Sequence, residues 1–187
     1  MKELIKNYKP SCMQEEKDKD FFIKYLNTFD DVLTRENIFG HATSSAFIVN
    51  KKHTKVLMAY HNIYKSFAWL GGHMDGEANP LAVSIREAEE ESGIKNLKLL
   101  HEDIISLDVI QVEGHFKKGV WVTPHVHLNV TYLFEADDKQ FIKNKDDENS
   151  AVAWLDIDNL ENVVLEKHMI VIYKKIIDKL NQLEVIE

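Results

Sequence analysis

What this chain lacks does much to bound what it can be. Its 187 residues include a single cysteine, Cys12, so no intrachain disulfide can form and no cysteine-based zinc site can be assembled. No run approaches the roughly 18 apolar residues of a membrane span. The opening MKELIKNYKP lacks the apolar stretch of a secretory signal. The cytoplasm is therefore the expected compartment. Positive charge is also short: 23 Lys and Arg against 31 Asp and Glu give a formal net charge of −8. That balance argues against a nucleic-acid-binding surface, which is normally basic, and a polyphosphate would be repelled unless cations bridged it. Internal repeats and low-complexity segments are absent too. What is left, 44% hydrophobic and 29% charged, suits one globular domain with a substantial core and room for an extension.

Residues 11–29 read as a helix, with Phe21, Phe22, Tyr25, Leu26 and Phe29 following the charged run Glu15 to Asp20. We take residues 1–39 as a helical extension, packed either on its own domain or on a second subunit in a homodimer, and residues 40–187 as the main domain. Short apolar runs at 44–49, 56–60 and 67–70 read as strands, as do 97–100, 104–112 and 151–155. The clearest strand is 125–134. There Val126, Leu128, Val130, Tyr132 and Phe134 share one face, and His125, His127, Asn129 and Thr131 the other. A long amphipathic helix is expected over 163–183. Strands alternating with substantial helices point to an α/β layered domain.

The chain is organised around Gly71 to Ile94, GGHMDGEANPLAVSIREAEEESGI. Asn79 suits an N-cap, Pro80 the first helical position and Gly93 the stop just past the end. On the helix between them, Glu87, Glu90 and Glu91 fall together at i, i+3 and i+4, opposite Leu81, Ile85, Ala88 and Ser92. Three carboxylates on one face repel one another. A solvated acidic face is the plain explanation, but two features favour a cation site. A glycine-rich loop precedes the helix, and Arg86 sits one turn before Glu90. Hard oxygen ligands beside a closely approaching backbone suit Mg²⁺, with Mn²⁺ as a substitute.

At these residues the chain resembles the Nudix hydrolase family. Gly71 and Glu77 match the first half of its signature, and Arg86-Glu87-Ala88-Glu89-Glu90-Glu91-Ser92-Gly93-Ile94 the second. Eight residues separate Glu77 from Arg86 where the family has seven, an extra residue that Asn79-Pro80 can absorb before the helix begins. The resemblance implies an α/β/α sandwich around a mixed sheet and a Mg²⁺-dependent hydrolysis of a nucleoside diphosphate linked to another group. It implies Glu87, Glu90 and Glu91 as metal ligands, with the backbone carbonyl of Gly71 and an outer contribution from Glu77. Arg86 would hold the glutamates in place. For the general base the family alternates between a signature glutamate, here Glu90 or Glu91, and an acid on a later loop, here Glu148.

His73, His125 and His127 are candidates for contacting substrate, with half-exposed strand residues as the alternative. Trp69 and Trp121 could stack a base or belong to the core. Two rivals have different signatures. Gly119, His125 and His127 match the opening of a cupin metal motif, but its glutamate and second histidine motif are missing and a cupin would be all-β. A catalytically silent ligand-sensing module would have lost the signature glutamates, which are all present.

Overall fold

The computed structural model describes residues 1–63, 65–145 and 149–184. Two helices come first, α1 (Lys2–Asn7) and α2 (Met13–Thr28). Next come β1 (Gly40–Asn50), β2 (Lys55–His61), β3 (Ser66–Ala68), β4 (Leu70–His73) and α3 (Pro80–Ser92). The strands β5 (Lys98–Leu99), β6 (Ser106–Val112), β7 (His115–Lys117), β8 (Val120–Val122), β9 (His125–Ala136) and β10 (Asn149–Asp156) follow, and α4 (Leu160–Val163) and α5 (Lys167–Glu184) close the chain.

The organising pair is β1 and β9, which run parallel in register from Gly40 beside Val126 to Asn50 beside Ala136. All other pairings are antiparallel. The sheet order is β10-β2-β1-β9-β5, with β4 beside the first half of β1 and β6 beside the first half of β9. β7 and β8 form a separate hairpin. This is the mixed sheet the sequence led us to expect.

Alternation along the strands gives each face its own layer. On one side Ala42, Ala46, Ile48, Leu128, Val130 and Tyr132 pack with Val83 and Ala88 of α3 and with Ile5, Phe22 and Leu26 of the first two helices. On the other, Phe47, Val49, Met58 and Leu133 meet Met169, Ile172, Tyr173, Ile176 and Leu180 of α5. The N-terminal helices thus pack on their own chain. They also close a sheet edge: Asp18 accepts the Val109 N–H at 2.8 Å, an otherwise open backbone donor of β6.

Glu15 fastens this join. It is fully buried, takes Lys179 at 2.6 Å and Lys175 at 3.1 Å, and accepts the Ser11 N–H at 2.8 Å. Burial pushes its carboxyl up, but the hydrogen bonds from Lys179, Ser11 and Tyr8 and the charge of Lys175 outweigh it, holding the group down at about 2.

Two expectations need correction. The helix expected over 163–183 is broken, because Val164 turns extended and buries itself while the Leu165 N–H goes to Ser66 Oγ at 2.9 Å. And α1 is a helix that apolar periodicity did not announce; one residue, Ile5, is its buried anchor.

Candidate active site

α3 forms as its ends dictate. The Asn79 side chain accepts from Leu81 N and Ala82 N at 3.1 and 3.3 Å, Pro80 is the first residue, and Gly93 stops the helix in a left-handed conformation at φ 71°. The extra residue lies ahead of Pro80, so the spacing of Glu87, Glu90 and Glu91 is undisturbed.

The helix is rotated from the orientation its apolar residues suggest. Its buried face carries Val83, Ser84, Ala88, Glu91 and Ser92, so Glu91 lies within that face, while Leu81 and Ile85 are only half-buried at its flank. The glycine pair of β4 is the reason. Gly71 donates its N–H to Glu91 Oε2 at 3.1 Å, repaying part of the cost of burying a carboxylate. At Gly72, a Cβ would stand 2.5–2.6 Å from the Glu87 carboxylate, so only glycine leaves room for Glu87 against the strand. In an antiparallel ladder the N–H and C=O of one residue point to the same side. The Gly71 carbonyl therefore leaves β4 by the edge at which its N–H meets Glu91.

The three signature glutamates occupy different positions. Glu91 is buried, the Glu87 side chain is 15% exposed and that of Glu90 is 49% exposed. Arg86 bonds Glu87 Oε1 at 2.8 Å and approaches Glu90 only at 4.0 Å, so its main partner is the neighbouring glutamate and not the one a turn later. Lys145 stands 3.5 Å from Glu90. Glu77 accepts the Asn79 N–H at 2.9 Å and lines a hollow of about 620 Å³ with Arg86, Glu87 and Glu90. Its first contact is thus local. Glu148 lies outside the described residues.

Glu87 and Glu91 also border a second cleft of about 650 Å³, whose other walls come from β1, β4, β9 and the β7–β8 hairpin. Its floor is a buried polar network: Thr43 and Ser45 hydroxyls donate to Asn129 Oδ1 at 2.8 and 2.9 Å, and the Asn129 amide donates to Thr131 at 3.0 Å. Arg35 stands at the mouth, paired with Asp75 through two hydrogen bonds, one of 2.7 Å. Those bonds hold the Asp75 carboxyl below the usual carboxylate range. Trp69 and Trp121 both line the cleft, Trp69 edge-on to Tyr173 and Trp121 against Phe116.

The histidines come together here. His73, His125 and His127 all line the cleft, and His41 of β1 joins them. Ring centroids of His41 lie 4.9, 4.8 and 5.2 Å from those of His73, His125 and His127. Burial, joined for His73 by the charge of Arg35, pushes the imidazoles of His41, His73 and His127 below the usual range, His73 to about 3. They stand as uncharged nitrogen donors. Sequence reading placed His125 and His127 on one strand face; what it lacked was the register that sets His41 beside His127 and Thr43 opposite His73. It also missed Glu166, a cleft residue whose carboxyl burial raises.

The donor set on α3 suits a hard dication. It offers carboxylate oxygens with the Gly71 carbonyl leaving the adjoining strand edge, and Arg86 and Lys145 temper their mutual repulsion.

The comparisons with known proteins agree on one architecture. A Caenorhabditis elegans Ap4A hydrolase shares the fold with a TM-score of 0.57 at 17% identity, over 75% of this chain and 98% of that one. A NUDIX-family hydrolase from Clostridium perfringens gives 0.56 at 23%, over 75% and 97%. The Escherichia coli dihydroneopterin triphosphate pyrophosphohydrolase gives 0.55 at 14%, over 74% and 95%. No curated protein matches the chain by sequence. The family model of the NUDIX domain matches residues 40–180, from the first residue of β1 into α5 and across the whole glutamate-bearing segment. The chain belongs to the NUDIX family, whose hydrolases cleave phosphoanhydride bonds in nucleoside diphosphate derivatives.

Proposed function

We propose that this chain is a Mg²⁺-dependent pyrophosphohydrolase acting on a nucleoside diphosphate joined to a second group. The observation that carries this reading is the lean of Glu87 and Glu91 over the Gly71–Gly72 backbone at the edge of the cleft. Glu87, Glu90, Glu91 and the Gly71 carbonyl would hold the cation. When bound, a divalent ion neutralises phosphate oxygens and lowers the pKa of a bound water. The balance of the reaction is simple. A water oxygen bonds to phosphorus, the bridging phosphorus–oxygen bond breaks, the displaced phosphate leaves with that electron pair, and a carboxylate takes the water's proton.

The chain's own residues divide the remaining work. Arg35 is placed at the mouth to meet phosphate charge, and Arg86 fixes Glu87 in position. The aromatic side chains of Trp69 and Trp121 offer faces for a base or sugar. The proton acceptor would be a signature carboxylate, and Glu91 is the one of the two candidates, Glu90 and Glu91, that borders the cleft.

The test is release of phosphate or nucleoside monophosphate from a panel with Mg²⁺, with Mn²⁺ and with EDTA. The panel holds ADP-ribose, nucleotide sugars, oxidised nucleoside triphosphates and dinucleoside polyphosphates, the last because of the Ap4A hydrolase fold neighbour. Turnover of one class above about 10⁴ M⁻¹s⁻¹ in kcat/KM, lost in EDTA, is the expected result. Full turnover in EDTA would sink the metal assignment.

A further inference from the structure

We infer that the cleft holds a second metal site, built from histidines and separate from the α3 carboxylates. His41, His73 and His127 are its ligands, with His125 at the fourth position, and its ion is an imidazole-preferring transition-metal dication of the Zn²⁺ class.

The first argument is convergence. Ring nitrogens of His41, His73 and His127 lie within 4.8 Å of one another, and these three form the group of potential metal ligands that the described residues bring together. They come from three different strands, β1, β4 and β9, locked by the ladders that pair β1 with the other two. Such a scaffold fixes a constellation more tightly than loops would.

The second argument is the direction of the lone pairs. His41 Nδ1 is 3.1 Å from the Asn37 carbonyl oxygen. A carbonyl only accepts, so Nδ1 carries the proton and Nε2 presents its lone pair. That Nε2 is buried and has no hydrogen-bond partner, an arrangement that costs free energy unless something meets it. His125 is oriented the same way: its Nδ1 donates to the Thr123 carbonyl at 2.8 Å, which leaves its Nε2 to accept from the His127 Nε2–H at 3.3 Å. Histidines that bind metals are aimed in this way, the far nitrogen donating to a backbone carbonyl.

The third argument is distance. His125 Nε2 is 3.3 Å from His127 Nε2. Two nitrogens each about 2.0–2.1 Å from a tetrahedral zinc are separated by roughly 3.3 Å. The pair already has the spacing of two adjacent ligands, so an ion would replace the proton they share, with ring nitrogens of His41 and His73 within 4.8 Å of that of His127. Nitrogen donors exclude Mg²⁺, which prefers oxygen, so the two sites of the cleft would sort their ions by ligand chemistry.

The experiment uses the full chain, stripped with chelator and titrated with Co²⁺ in place of Zn²⁺. The expected result is one equivalent of Co²⁺ with intense visible ligand-field bands of a tetrahedral, nitrogen-ligated ion. X-ray absorption at the zinc edge of the Zn²⁺-loaded wild type, which needs no variant, should show imidazole scattering from at least three rings. Removing outer-shell partners alone costs about 10–100-fold in affinity, so the combined His73→Asn and His127→Gln substitutions should weaken Co²⁺ binding by at least about 100-fold. The Glu87→Gln variant should keep the Co²⁺ spectrum even where its hydrolysis is lost, which separates this site from the carboxylate one. An octahedral, oxygen-only environment in the wild type, or Co²⁺ binding lost with Glu87→Gln and kept with the histidine pair replaced, would overturn the inference.

Discussion

One cleft has two walls made by opposite means. On the α3 side the groups are charged and carried on flexible side chains, from Glu91 and Glu87 in the cleft itself to half-exposed Glu90, which lines the adjoining hollow with Arg86 and Lys145. On the strand side they are imidazoles fixed by sheet register and by hydrogen bonds from Nδ1 to backbone carbonyls. The difference teaches that charge and rigidity were traded against each other. Carboxylates tolerate a loose helix-borne geometry because their attraction for a cation is long-ranged, whereas imidazoles bind through directed lone pairs and need the sheet.

The largest effect expected from breaking this contrast is at the carboxylates. Glu91→Gln and Glu87→Gln should each lower kcat with Mg²⁺ by at least about 100-fold while the protein stays folded, since each removes charge that would hold the cation at the scissile phosphate. Steady-state kinetics beside circular dichroism would decide it, and near-wild-type turnover in either folded variant would remove that residue from the site. The adjoining glycines sharpen the point. A Cβ on Gly72 meets the end of the flexible Glu87 side chain, but one on Gly71 meets the Ser44 carbonyl and Ser45 Cα at 2.7 Å. Gly72→Ala should therefore cost activity, about tenfold or more, with little change in Tm. Gly71→Ala should lower Tm by several degrees or more, because β1 and β4 cannot both stay in place. The reverse pattern would mean that Glu87 is not seated against the strand.

Much of the carboxylate wall was legible in the sequence. The cap at Asn79, the stop at Gly93 and the spacing of the glutamates are local, and local rules set them. The helix's rotation was not legible, because apolar periodicity counts Glu91 as polar and cannot foresee that the Gly71 N–H would take it into the interior. The imidazole wall was half legible. Alternation placed His125, His127 and Asn129 on one face of β9, but the parallel pairing with β1, which brings His41 across from a point 86 residues earlier (127 − 41), is a non-local fact. The break before α5 escaped notice for a related reason: its compensation comes from Ser66, on a distant strand.

Glu15 supplies the control for Glu91. It is equally a buried carboxylate, but Lys175 and Lys179 close on it far from the cleft. Its removal should be read in stability and not in turnover. Glu15→Gln leaves the buried Lys179 without its carboxylate partner, while Lys175 keeps Asp108, and should cost about 3 kcal/mol at neutral pH, with kcat within about twofold of wild type. Its folded-state pKa lies at about 2, below the ordinary 4.5. The stabilisation is thus complete above the ordinary value and is lost as pH falls from there toward about 2. Denaturant unfolding of both proteins should accordingly show the gap between them narrowing on acidification below about pH 4. A gap of constant size would mean that the ion pair is not its source.

The smallest expected effect lies where the two walls meet solvent. Trp121 is 52% exposed on the β7–β8 hairpin, leaning on Phe116 with ring centroids 5.1 Å apart, and it borders the cleft. An aromatic face in that position can hold the base or sugar of a substrate equally well before and during reaction, so its binding energy is uniform across the reaction coordinate. Trp121→Ala should then raise KM about 3- to 10-fold, the worth of one aromatic contact, and leave kcat within about twofold. A fall in kcat at unchanged KM would show instead that the hairpin helps to position the reacting phosphate, and the division of labour between a chemical edge and a recognising rim would have to be redrawn.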